Sequence, residues 1–476
     1  MSGALSDARV TRQAAMTAPN MAVVESASRP SMTGGRTLDS RLLAPPFAVR
    51  GQILTPLDAG GTAYLSDGRL DVDSDGRIAS VDAWSPAPDD ETPTSVIDLR
   101  PMLLLPGMVD LHAHLPQLPN AGLGAGLDLL TWLDRYIFPL ERGFDERVAN
   151  VVAPQAFRAL AAAGTTTAVL YGAVYEDSLD RCFAAAEAHG IRAVIGKVMM
   201  DRLRYDRSVE DSEVLELSLR QSQNLIERWH GRDNGRLLYA VTPRFAVSCS
   251  AEMLRESAAL AAATGAYWQT HLAEDRHEIN KVRGLFPDAL DYTDVYDRAG
   301  GLSERAILGH AIHVSEREIS RLAETGSRVA HCPSSNLFLS SGAMPLARYL
   351  EAGISVGLGT DVAGGPDLSL FSVMRAGAYT QSGLRTMLGE TRPSLAPLDW
   401  LRLGSLEGAR ALGLGDTIGS LEAGKEADFI CVDPSVTAPI AGQETDDPAD
   451  VMSRLIYRGR PDMIRAAWVR GRMLDA

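Results

Sequence analysis

Apolar residues follow two different patterns along this chain. Between about 46 and 105 they form short runs that Gly, Asp and Pro interrupt, as in strands that end in turns: FAVRGQIL, TAYLSDGRLDV, GRIASVDAW and TSVIDLR. Beyond that point, short apolar runs alternate with Ala-rich amphipathic segments such as DERVANVVAPQAFRALAAAG. This alternation is typical of a parallel α/β fold. The pattern therefore predicts a small β unit followed by an α/β region.

The α/β region contains eight apolar runs, each followed by a helix-like segment. The runs are LLLPGMVDLH, TTTAVLY, IRAVIGKVMM, LLYAVTPR, AYWQTHLAE, AILGHAI, RVAHCP and ISVGLGTD. Eight such repeats over roughly 260 residues favour a closed (β/α)8 TIM-like barrel over an open sheet.

The pattern of short strands returns near the C-terminus. Beyond about 415, IGSLEAGKEADFICVDPS and MIRAAWVRGRML carry short apolar runs with turn residues between them. We therefore expect a small β-sandwich domain formed from both chain ends, residues 41–104 and 415–476, around a barrel of residues 105–414. Residues 1–40 have no hydrophobic period and are predicted to be a disordered arm, with Met16 and Met21 as alternative starts of the chain.

Composition narrows the class of protein. The 476 residues are 45% hydrophobic and 22% charged, which fits a soluble two-domain enzyme. A net charge of −15 disfavours nucleic-acid polymers and anionic membranes as partners, and leaves small neutral or cationic ligands open. Four widely spaced cysteines, the absence of a signal-like apolar core and the absence of a run of about 20 apolar residues predict a cytoplasmic protein with free thiols.

Histidines mark the ends of the predicted strands. His112 and His114 end the first strand, His271 the fifth and His310 the sixth, while Asp361 closes the eighth. The C-terminal ends of barrel strands form one mouth, and alternate residues of a strand point to the same side. These five side chains are therefore expected to converge.

A metal-dependent hydrolase is the chemistry that this set predicts. A lone strand-end histidine is more often a hydrogen-bonded structural residue, but five candidate ligands at one mouth favour a metal site. Nitrogen and oxygen ligands with an open position suit Zn²⁺ best, with Fe²⁺ and other divalent ions also possible. A carboxylate such as Asp361 beside the ion can orient and deprotonate a water.

A carboxyl group near the same rim is predicted to transfer protons. Glu274 follows His271 by three residues and is the candidate general acid and base, although a surface carboxylate opening the next helix is the alternative. The other histidines are interpreted as structural or solvated: His189, His230, His277, His313 and His331.

Further residues at strand ends indicate a planar polar ligand. Gln117 offers an amide that can donate and accept on the edge of a nucleobase. Arg244 and Phe245 end the fourth strand together, where a guanidinium and a ring suit a heterocycle bearing a carbonyl. Arg244 could equally form an ion pair at the barrel rim.

From about residue 46 to the C-terminus the chain resembles the guanine deaminases of the amidohydrolase superfamily. The HxH, HLAE and TD elements are shared across many superfamily deaminases, whereas TPRF, HLPQ and FPLE narrow the resemblance. Its motifs are PGMVDLHAHLPQ, LLTWLDRYIFPLE, AGTTTAV, GKVMMD, LLYAVTPRF, THLAED, TDVYDRAGGL, GHAIHVS, AHCPSSNL and GLGTDVAGG.

This resemblance implies hydrolysis of guanine to xanthine and ammonia with one Zn²⁺ per chain. It implies metal ligation by His112, His114, His271 and Asp361, with His310 beside the metal or ligating it. It further implies that Glu274, Asp361 and His310 act in catalysis, Glu274 protonating ring atom N3 and the departing amine. The residues implied to bind the purine are Gln117, Arg244, Phe245, His271, Glu274, His310 and Asp361. Family members are typically homodimers.

Three alternatives remain open on sequence grounds. A related deaminase or chlorohydrolase could act on another heterocycle, such as 8-oxoguanine, a pterin or a triazine. A dinuclear relative would carry a carboxylated lysine at the end of strand four, where Thr242 and Pro243 lie, whereas Lys197 falls on strand three. A non-catalytic scaffold barrel is the third alternative, although such proteins usually lose ligands and none is missing here.

Overall fold

A computed structural model describes residues 39–85, 96–389, 391–392, 394–440 and 445–476 of the chain. Of the predicted N-terminal arm, residues 1–38 lie outside the described residues. Asp39 accepts a hydrogen bond from the backbone N–H of Arg41 and so caps a short 3-10 helix, Ser40–Leu42.

The strands of the described residues fall into two sheets. In chain order they are β1 (Phe47–Pro56), β2 (Thr62–Val72), β3 (Ile78–Ala83), β4 (Ile97–Pro106), β5 (Met108–His114), β6 (Thr165–Tyr171), β7 (Arg192–Gly196), β8 (Val198–Met199), β9 (Leu237–Pro243), β10 (Tyr267–Leu272), β11 (Ala306–His310), β12 (Arg328–His331), β13 (Val356–Leu358), β14 (Phe429–Val432), β15 (Ile464–Val469) and β16 (Arg472–Met473).

The helices lie mainly between the strands of the second sheet. They are α1 (Leu129–Trp132), α2 (Phe138–Arg142), α3 (Glu146–Ala162), α4 (Glu176–His189), α5 (Val214–Trp229), α6 (Arg232–Gly235), α7 (Ala251–Thr264), α8 (Arg276–Leu285), α9 (Tyr292–Arg298), α10 (Glu316–Glu324), α11 (Pro333–Phe338), α12 (Leu346–Glu351), α13 (Leu370–Leu388), α14 (Pro397–Gly404), α15 (Leu406–Ala411) and α16 (Pro448–Arg458). Further 3-10 helices span Leu115–Asn120, Pro434–Thr437 and Pro461–Met463, and a π-helical turn spans Leu133–Ile137.

The predicted barrel is confirmed. Its strands pair in parallel in the order β13-β12-β11-β10-β9-β7-β6-β5, and β8 continues the run of β7 and pairs with β9. Each of the eight predicted apolar runs contains strand residues, and strands such as β6 and β10 are buried along their whole length, as parallel strands covered on both faces should be.

Backbone hydrogen bonds across the remaining gap bring the first and last strands of the barrel together. The Asp361 N–H donates to the His112 carbonyl at 2.7 Å, and the His114 N–H donates to the Val362 carbonyl at 2.9 Å. The first and last predicted ligand segments are therefore bound directly to one another.

The predicted β unit from both chain ends is also confirmed. Its strands form one mixed seven-stranded sheet in the order β16-β15-β14-β4-β1-β2-β3. Buried Arg192, the first residue of β7, ties the barrel to this sheet through Glu426 (2.5 Å) and Asp428 (3.0 Å). Arg470, which follows β15, contacts the same carboxylate of Glu426 at 2.8 Å.

The four cysteines are free and buried, as predicted. Within the described part of the chain, none of the helices combines the length and the apolar character needed to cross a bilayer.

Candidate functional site

The five strand-end residues meet at one mouth of the barrel. Asp361 Oδ1 lies 3.2 Å from the Nε2 atoms of both His112 and His114, and His114 Nε2 lies 3.2 Å from His271 Nε2. His310 Nε2 lies 3.7 Å from Asp361 Oδ2. The local reason is the parallel barrel, which places the carboxyl ends of all its strands at the same face.

The compact core of this cluster differs by one residue from the ligand set that the resemblance implies. Candidate ligand atoms of His112, His271, His310 and Asp361 all lie within 4.8 Å of one another. His114 lies at the edge of this group, in contact with Asp361 and His271. His310 thus lies closer to the centre of the cluster than His114.

Two of the histidines are held by partners on their other ring nitrogen. His271 Nδ1 lies 2.7 Å from the Arg244 carbonyl, and His310 Nδ1 lies 2.9 Å from Asn336 Oδ1. Because these bonds occupy Nδ1, both Nε2 atoms are turned into the cluster, as in metal-ligating histidines. No sequence pattern indicates a role for Asn336 beyond its place in AHCPSSN.

The electrostatics of the cluster suit a cation. Burial lowers the pKa of His112 to about 4, and burial with the neighbouring histidines lowers the pKa of His271 well below its usual value. Burial alone would raise the pKa of Asp361, but the imidazoles of His112 and His114 beside its carboxylate hold that pKa well below its usual range. The cluster therefore combines neutral imidazole lone pairs with an ionised carboxylate.

Orphaned nitrogen atoms support the same interpretation. The Nε2 atoms of His112 and His310 are buried and have no hydrogen-bond partner among the described residues. A buried polar atom without a partner is unfavourable, and a metal ion at the centre of the cluster would satisfy such lone pairs.

Backbone conformations at the site are strained. His310 and Asp361 have φ values of 67° and 48°, in the left-handed region that side chains other than glycine rarely adopt. Each such residue costs on the order of 1 kcal/mol, and such strain clusters at functional sites. The fold thus holds these two side chains in positions that a relaxed backbone would not give.

Glu274 faces the cluster rather than solvent. Its side chain is only 2% exposed, Oε2 lies 3.4 Å from His310 Nε2, and Oε1 accepts a hydrogen bond from Ser341 Oγ at 3.2 Å. The alternative of a surface carboxylate is therefore wrong: Asp275 caps α8 instead, and His277 takes the exposed position. Burial raises the pKa of Glu274 to about 8.

A buried network that sequence reasoning missed supports Glu274 and His271 from behind. Glu278 Oε2 accepts from the Glu274 N–H at 2.9 Å, and its Oε1 accepts from the Tyr292 hydroxyl at 2.6 Å. The Tyr296 hydroxyl donates to the His271 carbonyl at 2.7 Å and accepts from the Ala246 N–H at 3.0 Å. The TDVYDRAGGL block thus fastens the ends of β9 and β10.

Asp110 is a second supporting residue that the sequence did not reveal. Its carboxylate accepts from the Thr360 hydroxyl at 2.5 Å and from the backbone N–H groups of Thr360 (3.0 Å) and His112 (3.2 Å). It therefore joins the strand that carries His112 to the segment that carries Asp361.

All of the predicted ligand-binding residues except His310 line one pocket beside the cluster. Gln117, Arg244, Phe245 and Glu274 line it together with His114, His271 and Asp361, and apolar side chains that were not predicted close it: Leu129, Trp132, Leu133 and Leu339. The apolar spacing of LLTWLDRYI was the available signal for three of these.

Glu141 connects two of the pocket residues and was also missed. The Gln117 Nε2 donates to Glu141 Oε1 at 2.7 Å, and Arg244 forms a close salt bridge with Glu141 Oε2. Arg244 also lies over the Phe138 ring at 5.3 Å. Arg244 is thus ion-paired, as the alternative interpretation held, but the pair is buried in the pocket wall.

The remaining histidines lie apart from the cluster. His189 and His313 contact the carbonyls of Asp475 and Ser341, and His230 Nδ1 accepts from the Tyr239 N–H. His331 is buried at the end of β12 and does not line the pocket.

Fold and site together define a class. Residues 103–474 match the model of the amidohydrolase family, and the chain belongs to this family.

Within that family, the relatives are guanine deaminases. The chain is 38% identical over 445 residues to a probable guanine deaminase of Deinococcus radiodurans, covering 91% of this chain and 96% of the relative. The crystal structure of guanine deaminase from C. acetobutylicum with bound guanine in the active site matches with a TM-score of 0.82 at 30% identity, covering 90% and 100% of the two chains.

A zinc-containing neighbour is also similar. An adenosine deaminase from Xanthomonas campestris with bound zinc matches with a TM-score of 0.76 at 28% identity, covering 90% of this chain and 93% of the other.

Proposed function

We propose that the protein is a guanine deaminase that hydrolyses guanine to xanthine and ammonia. The observation that carries the proposal is the pocket itself, which buried Glu274 and residues of the histidine–aspartate cluster line together with Arg244 and Gln117. The similarity to guanine deaminases supports the choice of substrate.

We propose that the cluster holds one Zn²⁺ per chain. His112, His114, His271 and Asp361 would supply the ligands, with His310 beside the ion or ligating it. The two orphaned Nε2 atoms and the ionised Asp361 fit a cation, and the zinc-containing neighbour favours zinc over Fe²⁺, which the same donors could also bind. When bound, such an ion supplies Lewis-acid activation of water.

The side chains divide the remaining work. Asp361 accepts a proton from the attacking water, whose oxygen forms a bond to C2 of the purine. Glu274 delivers its proton to N3, takes up the proton of the new C2 hydroxyl and passes it to the amine. The C2–N bond then breaks with release of ammonia instead of an amide anion, C2=O forms, and the proton held by Asp361 restores Glu274. His310, 3.4 Å from Glu274 Oε2, steadies the carboxyl group in both protonation states.

The purine is positioned by the opposite wall. The Arg244 guanidinium donates to the C6 carbonyl, Gln117 binds the neighbouring polar edge, and Phe245 packs against the ring. Leu129, Trp132 and Leu339 exclude water from the remaining faces.

A substrate panel tests this proposal. Metal-loaded protein should release ammonia from guanine faster than from 8-oxoguanine, adenine, cytosine, pterins and triazines. Ammonia from another heterocycle, with none from guanine, would replace the substrate and leave the metal proposal intact. Purified protein without bound metal and without turnover would favour the scaffold alternative.

We also propose a cytoplasmic homodimer. Four free, buried thiols suit a reducing compartment. Tyr379 and Met387 on α13 are 59% and 84% exposed, and the Tyr379 ring contacts the ring of Tyr457 in α16 at a tilt, with 5.5 Å between the ring centroids. Exposed apolar groups of this kind favour a contact with a second copy, which sedimentation can test.

A further inference from the structure

Glu141 has no role in the steps of the proposed reaction. It lies in α2 and is fully buried, and its two oxygens contact two different pocket residues. Oε1 accepts from Gln117 and Oε2 pairs with Arg244, residues that lie 24 and 103 positions away in the chain. One carboxylate thus fixes two side chains that face the ligand.

Glu141 decides which way the Gln117 amide is turned. A carboxylate paired with arginine only accepts hydrogen bonds, so the amide must present its NH₂ group to Glu141. The amide oxygen is then on the opposite side. Gln117 Oε1 is buried there and has no hydrogen-bond partner among the described residues.

An unsatisfied buried acceptor selects for a ligand that brings a donor. Arg244 uses Nη1 for Glu141, and its other N–H groups remain available as donors. Because both side chains are bonded to the same carboxylate, the Gln117 acceptor and the Arg244 donors lie side by side. This acceptor–donor pair is complementary to an adjacent N–H and C=O, which is the N1–H and C6=O edge of guanine.

We propose that Glu141 is a specificity-determining residue that fixes the donor and acceptor polarity of the pocket, so that it takes a purine with the lactam edge N1–H/C6=O and rejects one whose N1 is an acceptor. The inference rests on the proposed function, since it names the feature of the substrate that the same pocket reads. Glu141 acts through Gln117 and Arg244 and does not itself touch the purine.

The variant Glu141→Gln tests this polarity. Its amide oxygen can still accept from Arg244, which turns its NH₂ group toward Gln117. Gln117 must then rotate to offer its oxygen to residue 141 and its NH₂ group to the pocket. The acceptor that guanine needs becomes a donor.

The probe is 2-aminopurine, which carries the same C2 amine as guanine but has N1 as an acceptor and no C6 oxygen. Its fluorescence reports binding directly, and guanine competes with it. All affinities are measured in a Glu274→Gln background, in which turnover should be slower by about 10² or more. We expect the wild-type preference for guanine to fall about 100-fold in Glu141→Gln, which is within the range for a buried hydrogen bond that loses its partner.

A charge-conserving swap provides the control. In the double variant Gln117→Glu with Glu141→Gln, the carboxylate at 117 accepts from residue 141 with one oxygen and presents the other, an acceptor, to the pocket. The guanine preference should return to within about tenfold of wild type. Gln117→Met, which keeps the Glu141–Arg244 pair, removes the same acceptor without unpairing Arg244 and should also lose the preference.

The outcomes are distinct. An unchanged guanine preference in Glu141→Gln or, if that variant does not fold, in Gln117→Met overturns the inference. A preference that falls in Glu141→Gln and does not return in the double variant also overturns it, because Glu141 would then act only through its charge on Arg244. A wild-type protein that deaminates no guanine refutes the proposed function, whereas the competition assay still measures polarity.

Discussion

Burial sets the protonation of individual side chains at the barrel mouth. It raises the pKa of Glu274 to about 8 and lowers that of His112 to about 4. Near neutral pH the carboxyl group therefore holds a proton and the imidazole keeps its lone pair free. These are opposite consequences of one physical cause, because a buried site disfavours the charged form of each group.

Replacing Glu274 should separate proton transfer from metal binding. Glu274→Gln keeps the shape of the side chain but cannot pass a proton, so we expect the rate of ammonia release to fall by about 10² or more. The metal content should stay at the wild-type level. Glu252→Gln, at an exposed position, is the matched control. Full turnover in Glu274→Gln would remove this residue from the mechanism.

Lys197 gives a prediction about stability against pH. It is buried between β7 and β8, and burial lowers its pKa from 10.5 to about 8. Between these pH values the Lys197 side chain binds more protons in the unfolded chain than in the folded one, so its contribution to the free energy of unfolding should rise with pH from 8 to 10.5. Below pH 8 the full penalty of the buried charge applies.

The variant Lys197→Met removes this penalty. It should raise the free energy of unfolding at pH 7 by about 3 kcal/mol relative to wild type, and this difference should shrink as the pH rises above 8. Urea unfolding at pH 7 and pH 10 measures both effects. The exposed Lys281→Met serves as control. If the free energies of unfolding of Lys197→Met and wild type differ equally at pH 7 and pH 10, the charge of Lys197 does not cause the difference.

At the scale of elements, a side chain at the end of one barrel strand limits the size of the residue that another strand can have opposite it. Gly309 in β11 lies against the His112 ring of β5, and a Cβ atom there would lie 2.8 Å from His112 Cε1. The following residue, His310, is in the left-handed region with φ of 67°. A small residue before His310 thus leaves room for a histidine on the opposite strand.

Gly309→Ala should therefore displace His112 and weaken metal binding. Loss of second-sphere support at metal sites lowers affinity by about 10- to 100-fold, and we expect an effect of that size. Titration with Zn²⁺ against a competing chelator measures it. Gly284→Ala, in α8 with open space around it, is the matched control. Equal affinities of the two variants would contradict the steric argument.

At the scale of the whole molecule, a buried ion cluster holds the barrel on the seven-stranded sheet. Arg192 of β7 contacts Glu426 and Asp428. Both residues lie just before β14, where the chain returns to that sheet. Both chain ends reach the barrel through this sheet. Loss of the ion cluster should therefore lower the stability of the molecule and leave the chemistry of the pocket intact.

Arg192→Met removes the buried guanidinium from Glu426 and Asp428, of which Glu426 keeps its contact with Arg470, and should lower the free energy of unfolding by about 3 to 5 kcal/mol. The KM for guanine at a permissive temperature should stay within about twofold of wild type. Arg181→Met breaks an exposed pair with Glu146 and should change stability by less than about 1 kcal/mol. A similar loss in both variants would mean that the buried cluster has no special weight.

The sequence by itself determined the strands and the residues at their ends. Apolar runs, turn residues and amphipathic segments are local patterns, so the eight barrel strands and the sheet from both chain ends could be predicted. His112, His114, His271, His310 and Asp361 could be placed at one mouth because a parallel barrel gathers its strand ends there.

Only the tertiary structure decided how those residues are oriented and supported. Glu141, Glu278 and Asn336 have no local pattern that separates them from surface or helix residues, and they act on side chains far away in the chain. The burial that raises the pKa of Glu274 likewise arises from elements that pack around it. Hydrogen bonds and desolvation depend on three-dimensional neighbours, which a periodic pattern along one chain does not specify.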